Sequence, residues 1–110
     1  MTLKRGDVVV CVLSGDFGKP RPAVVVQSDL FNPTHASVTL CPLTTYFVET
    51  ALFRLTLQPS LDNGLNETSQ IMIDKLTTIK TEKIRECIGR LSSHEMVLLN
   101  AGLKLGLALE

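Results

Sequence analysis

The sequence predicts a mainly β domain with one C-terminal helix, built as a small barrel or curled antiparallel sheet. Three observations predict it. Short apolar segments rich in β-branched residues recur from Val8 onwards, separated by stretches of glycine, proline, asparagine and aspartate. Helical periodicity appears only near the C-terminus. The chain has 110 residues, 45 % of them hydrophobic, which suits a single domain over residues 1–110 with one core.

Val8 to Leu13 is apolar throughout, without polar alternation, and reads as a strand buried on both faces. Ser14 to Pro22 holds two glycines and two prolines and reads as a loop. Ala23 to Gln27 is the second strand, paired with the first across that loop. Ser28 to Pro33 is one helical turn or a compact turn, capped by Ser28 and closed by Pro33. Ser37 to Cys41 is the third strand and runs into Pro42-Leu43-Thr44-Thr45. Leu52 to Leu57 alternates: Phe53, Leu55 and Leu57 form an apolar face, with Leu52, Arg54 and Thr56 opposite, so this strand is half solvated. A turn region with Asn63-Gly64 precedes a strand at Gln70 to Ile73, and Ile84 to Leu91 is the last short strand. Ser92-x-x-Glu95 is a capping box. Met96, Leu99, Leu103 and Leu107 follow on one helical face, and Gly102 and Gly106 weaken the interior, so the helix stops near one of them.

Lys plus Arg and Asp plus Glu are 11 each, a formal net charge of zero, which excludes a disordered polyelectrolyte and a protein that grips polyanions by bulk charge. Cys11, Cys41 and Cys87 are odd in number and widely spaced, neither a disulfide framework nor a Cys-x-x-Cys metal pair. They read as buried thiols in a reducing, cytoplasmic setting. His35 and His94 are too few and too separated for a zinc site, and no metal or cofactor is expected. The apolar run after the N-terminus is too short for a signal peptide, and no segment reaches the length of a membrane helix.

Arg5-Gly6-Asp7-Val8-Val9, followed by Arg21-Pro22-Ala23-Val24-Val25-Val26, resembles the MazF/PemK family of toxin ribonucleases from bacterial type II toxin-antitoxin pairs. The likeness continues through Gln27-Ser28-Asp29, Ser37 to Thr44, Ile71 to Ile79 and Ile88-Gly89-Arg90-Leu91, covering nearly the whole chain. It implies a small SH3-like barrel of the CcdB/MazF plasmid-maintenance-toxin type. It implies a homodimer with a groove for single-stranded RNA, a separately encoded cognate antitoxin, and metal-independent cleavage to a 2′,3′-cyclic phosphate and a 5′-hydroxyl.

Residue by residue, the resemblance makes Arg21 and Thr44 the catalytic pair. A guanidinium holds a phosphate through two directed hydrogen bonds and balances charge on its nonbridging oxygens. The threonine hydroxyl donates to the same phosphate, while the attacking group is the 2′-hydroxyl of the RNA. Asp16, His35 and Asp74 are the candidates for helping with proton transfer. Lys4, Arg5, Asp16, Phe17, Lys19, Asp74 and Lys75 are the candidate RNA contacts, Phe17 either stacking on a base or covering an edge of the core. Some members carry an arginine two residues before the later aspartate; Met72 stands there in this chain. Two alternatives come from the same family resemblance: a CcdB-like inhibitor of DNA gyrase without enzymatic activity, and a catalytically weakened member that mainly binds the antitoxin.

Overall fold

The computed structural model describes residues 2–47 and 54–109. Its strands are β1 (Asp7–Val12), β2 (Pro20–Val25), β3 (Ser37–Thr44), β4 (Arg54–Leu57), β5 (Ser69–Met72), β6 (Thr77–Lys80) and β7 (Ile84–Arg90), followed by helix α1 (Ser93–Gly106). All pairings are antiparallel, in the order β4-β5-β3-β2-β1-β7. β3 is the longest strand and takes two partners end to end: β6 along Ser37–Leu40 and β5 at Leu43–Thr44. A tight helical turn at Ile73–Lys75 joins those two partners.

The expected barrel is not what forms. The sheet does not close: among the described residues β4 and β7 end the ladder, and no pairing joins β6 to β7. The physical reason lies in the connection. β6 lies beside β3 and β7 beside β1, and the three-residue helical turn Thr81–Lys83 spans from one to the other. Thr81 N–H donates to Ala36 C=O on the β3 side at 2.9 Å and Thr81 C=O accepts from Ile84 N–H, so the turn carries the chain from one strand to the other without pairing them. Register shifts between Val8 and Val9 and between Val10 and Cys11 add local twist where β1 meets β7.

Both faces of the central strands are buried, which is why Val8 to Val12 shows no polar alternation. Val8, Val24, Cys41, Ile71 and Leu99 belong to the cluster beneath α1. Val9, Ala23, Val25, Val38 and Leu40 belong to a second cluster on the other face, flanked by Ile79 of β6 and Ile84 of β7. Burial pushes the Cys11 thiol up to about 11, helped by the Asp16 charge, and the Cys41 thiol up to about 12. Cys87, expected to be buried, is exposed on the edge strand β7.

The capping box forms as expected: Glu95 N–H donates to Ser92 Oγ at 3.1 Å, and Ser92 N–H to Glu95 Oε1 at 2.8 Å. Leu99 is buried, Met96 and Leu103 pack beside it, and Leu107 lies just past the helix and is exposed. The helix passes through Gly102 and ends at Gly106; Gly102 lets Ile73 approach its backbone. Ser28 to Pro33 is a compact turn, with Ser28 Oγ accepting from Leu30 N–H at 3.1 Å. Leu52 and Phe53 of the expected fourth strand lie outside the described residues.

Candidate functional site

Pro20, Arg21 and Pro22 were expected in a loop, yet they form the start of β2, opposite Val12, Cys11 and Val10. β3 reaches β2 only from Ala23 on. The stretch is therefore a sheet edge on that side, where a proline's missing N–H leaves no ladder bond open. Arg21 thus projects from a paired strand whose neighbouring φ angles are restricted by proline, and its base is fixed.

A cleft of about 630 Å³ opens between the start of β2, the end of β3 and the segment Gly64–Ser69. Val10, Leu43, Leu65 and Ile88 contribute apolar lining, and Lys19, Arg21, Thr44, Thr45, Asn66 and Glu67 bring the polar groups. Arg21 and Thr44, 23 positions apart in sequence, therefore share one cavity. Thr44 Oγ1 accepts a hydrogen bond from Tyr46 N–H at 3.0 Å. That leaves the hydroxyl proton free to donate into the cleft.

Asp16 places a carboxylate oxygen 3.5 Å from Arg21 Nε. The loop that carries it is tight. Lys19 N–H donates to Asp16 C=O at 2.9 Å, and Gly15, Phe17 and Gly18 all have positive φ. For Phe17 that conformation costs on the order of 1 kcal/mol. Its ring is fully exposed at the loop tip and covers no core edge.

The other candidates lie away from this cleft. Arg5 is built into the fold: its Nε donates to Val26 C=O at 2.9 Å, and its backbone N–H donates to Asp29 at 2.7 Å, a bond that holds the Asp29 carboxyl below the usual range. Lys4 N–H donates to the Asp7 carboxylate at 2.9 Å, and its side chain is exposed. His35 packs its ring against Phe31, with centroids 5.0 Å apart. Lys75 is exposed on the turn after β5.

Asp74 has a dedicated partner. Arg54 on β4 reaches it with Nε at 3.1 Å and Nη2 at 3.3 Å, and the Arg54 hydrogen bond holds the Asp74 carboxyl below its ordinary value. Arg54 is the cross-strand neighbour of Met72. Asp74 thus takes its guanidinium partner from the strand beside Met72. The sequence places Arg54 on the polar face of its strand, but only the register reveals the partner.

Asn66 and Glu67 were missed. They sit in a turn region without a motif, and the fold alone brings that region against the ends of β2 and β3. The signal available was Asn63-Gly64. Asn63 is buried and ties the turn together: its Oδ1 accepts from Ser60 N–H and Leu65 N–H, both at 3.0 Å, and its Nδ2 donates to Gln58 C=O at 2.9 Å. Gly64 has φ +70°, and a Cβ there would overlap the Ile88 carbonyl of β7.

Known proteins place this geometry in context. The chain is 38 % identical over 96 residues to the probable endoribonuclease MazF of Mycolicibacterium smegmatis, covering 86 % of this chain and 87 % of that protein. It is 32 % identical over 94 residues to the endoribonuclease MazF9 of Mycobacterium tuberculosis, covering 81 % and 79 %. A solved endoribonuclease in complex with its cognate antitoxin, from a mycobacterial species, superposes with a TM-score of 0.84 at 25 % identity, covering 98 % of this chain and 97 % of that one. The sequence profile of the PemK-like, MazF-like toxins matches residues 4–107. The chain therefore belongs to the PemK-like, MazF-like toxins of type II toxin-antitoxin systems.

Proposed function

We propose that this chain is an endoribonuclease toxin that cuts single-stranded RNA without a metal ion, works as a homodimer and is silenced by a cognate antitoxin. The observation that supports it best is the shared cleft of Arg21 and Thr44, with the Thr44 hydroxyl proton left free by Tyr46. Two curated relatives named as endoribonucleases, one of them as probable, and a solved relative bound to its antitoxin point the same way.

In this mechanism the 2′-oxygen of the RNA attacks the adjacent phosphorus and the bond to the 5′-oxygen breaks. The 2′-hydroxyl loses its proton and the 5′-oxygen gains one, giving a 2′,3′-cyclic phosphate and a 5′-hydroxyl. Negative charge gathers on the nonbridging oxygens, where the Arg21 guanidinium and the Thr44 hydroxyl stabilise it. Asp16 restrains the direction of Arg21, and of the three residues considered for proton transfer it is the one beside the cleft arginine. The nucleophile belongs to the substrate, so DNA is spared.

The test is cleavage of total RNA in EDTA with mapping of product ends. Cyclic-phosphate ends are expected, with rates falling by about 100- to 1,000-fold in folded Arg21→Ala and Thr44→Val. Intact RNA together with inhibited gyrase supercoiling would favour the CcdB-like alternative and end this reading.

A further inference from the structure

Glu67 is an exposed carboxylate in a cleft whose other charged side chains, Lys19 and Arg21, are cationic. Among the described residues its side chain has no ion-pair or hydrogen-bond partner, and neither has that of Asn66. The segment beneath them is tied to its surroundings. Gly64 is packed onto the Ile88 carbonyl, Thr68 Oγ1 donates to Gln58 Oε1 at 2.8 Å, and Ser69 Oγ donates to the Glu67 carbonyl at 2.9 Å. A fixed backbone with uncommitted polar side chains is a reading surface: binding costs little ordering, and an unmatched group stays unpaired.

The charge decides what it reads. A carboxylate repels phosphate, so the RNA backbone runs along the Lys19 and Arg21 wall and the Glu67 wall meets bases. An ionised carboxylate only accepts hydrogen bonds, so it needs donors. Cytosine, adenine and guanine each present an exocyclic amino group, whereas uracil presents carbonyl oxygens on either side of a single N–H. Resting on the RNA-cleavage reading above, we propose that Glu67 is a specificity-determining residue that accepts a hydrogen bond from the exocyclic amino group of a base beside the scissile phosphate and so discriminates against uracil there.

The experiment is cleavage of a random-sequence RNA pool with sequencing of the ends, for the unmodified protein, Glu67→Gln and Glu67→Ala. At one position flanking the cut, an amino-bearing base is expected over uracil by about tenfold, the scale of one charge-assisted hydrogen bond. Frequencies of cytosine, adenine and guanine at that position show which amino group is used. In both variants the ratio should fall to about threefold or less. Each ratio is taken within one protein, so it does not depend on that protein's overall rate. A base profile unchanged in both variants, or no position disfavouring uracil in the unmodified protein, overturns the proposal while leaving Arg21-dependent cleavage standing. If no RNA is cut, the cleavage reading falls, and binding decides Glu67 separately. Short 2′-deoxy oligonucleotides carrying cytosine, adenine, guanine or uracil in turn at one position should include at least one amino-bearing base that binds the unmodified protein more tightly than uracil does, a preference absent in Glu67→Gln. Equal affinity of the unmodified protein for all four oligonucleotides overturns the proposal on this arm too.

Discussion

The Thr44 hydroxyl accepts from Tyr46 N–H two residues along the chain, and its single proton remains available for a further acceptor. Arg21 is steered by Asp16. A third pairing, Arg54 with Asp74, holds the turn after β5 to β4. Because the Asp74 carboxyl is held below its ordinary value, this pair stabilises the fold above the unfolded carboxylate pKa of about 3.9 and stops doing so as pH falls through the lower folded value. Arg54→Met should therefore cost about 1 kcal/mol at pH 7, Asp74 being partly exposed and screened. That difference should be smaller at a pH below the ordinary carboxylate value of about 3.9 than at pH 7. Urea unfolding at the two pH values checks it.

At the scale of elements, glycines decide which segments come close. Gly64 combines positive φ with a backbone neighbour that cannot move aside. Gly64→Ala should lose about 2–4 kcal/mol and lower Tm by on the order of 10 °C. Gly102 faces the side chain of Ile73, most closely its terminal Cδ1, while alanine favours the helix by about 1 kcal/mol. Gly102→Ala should therefore change stability by no more than about 1 kcal/mol. Thermal melts of the two variants separate these outcomes. The sequence shows both glycines but not their neighbours, and it reads Gly102 only as a weak point in a helix. The proline pair around Arg21 was misread for a related reason: a proline's fit in a strand depends on whether that edge has a partner, which is a tertiary fact.

For the whole molecule, the helix leaves Val97, Leu98 and Leu105 exposed. Two copies would cover apolar surface that the small core leaves open. Light scattering should give about twice the 12.0 kDa chain mass, with RNA-cleaving activity per chain falling on dilution below the dimer's dissociation constant. A monomer that keeps its full specific activity would contradict this. Zero net charge sets a second expectation. With Lys19 and Arg21 as the cleft cations, affinity for a non-cleavable oligonucleotide should fall with log salt at a slope of about −1 to −2, and a much steeper slope would mean phosphate contacts beyond this cleft.

The sequence by itself determined most of the strand segments and the capped helix, and singled out Arg21 and Thr44 as candidates, because periodicity, capping and the motifs that carry the family resemblance are local signals. Only the tertiary structure decided that the sheet stays open, that Arg54 partners Asp74, and that Glu67 shares the cleft with Arg21. Each of those depends on register or on a connection bringing distant segments together. Backbone pairing sets such neighbours, and residue types read along a line do not encode them one position at a time.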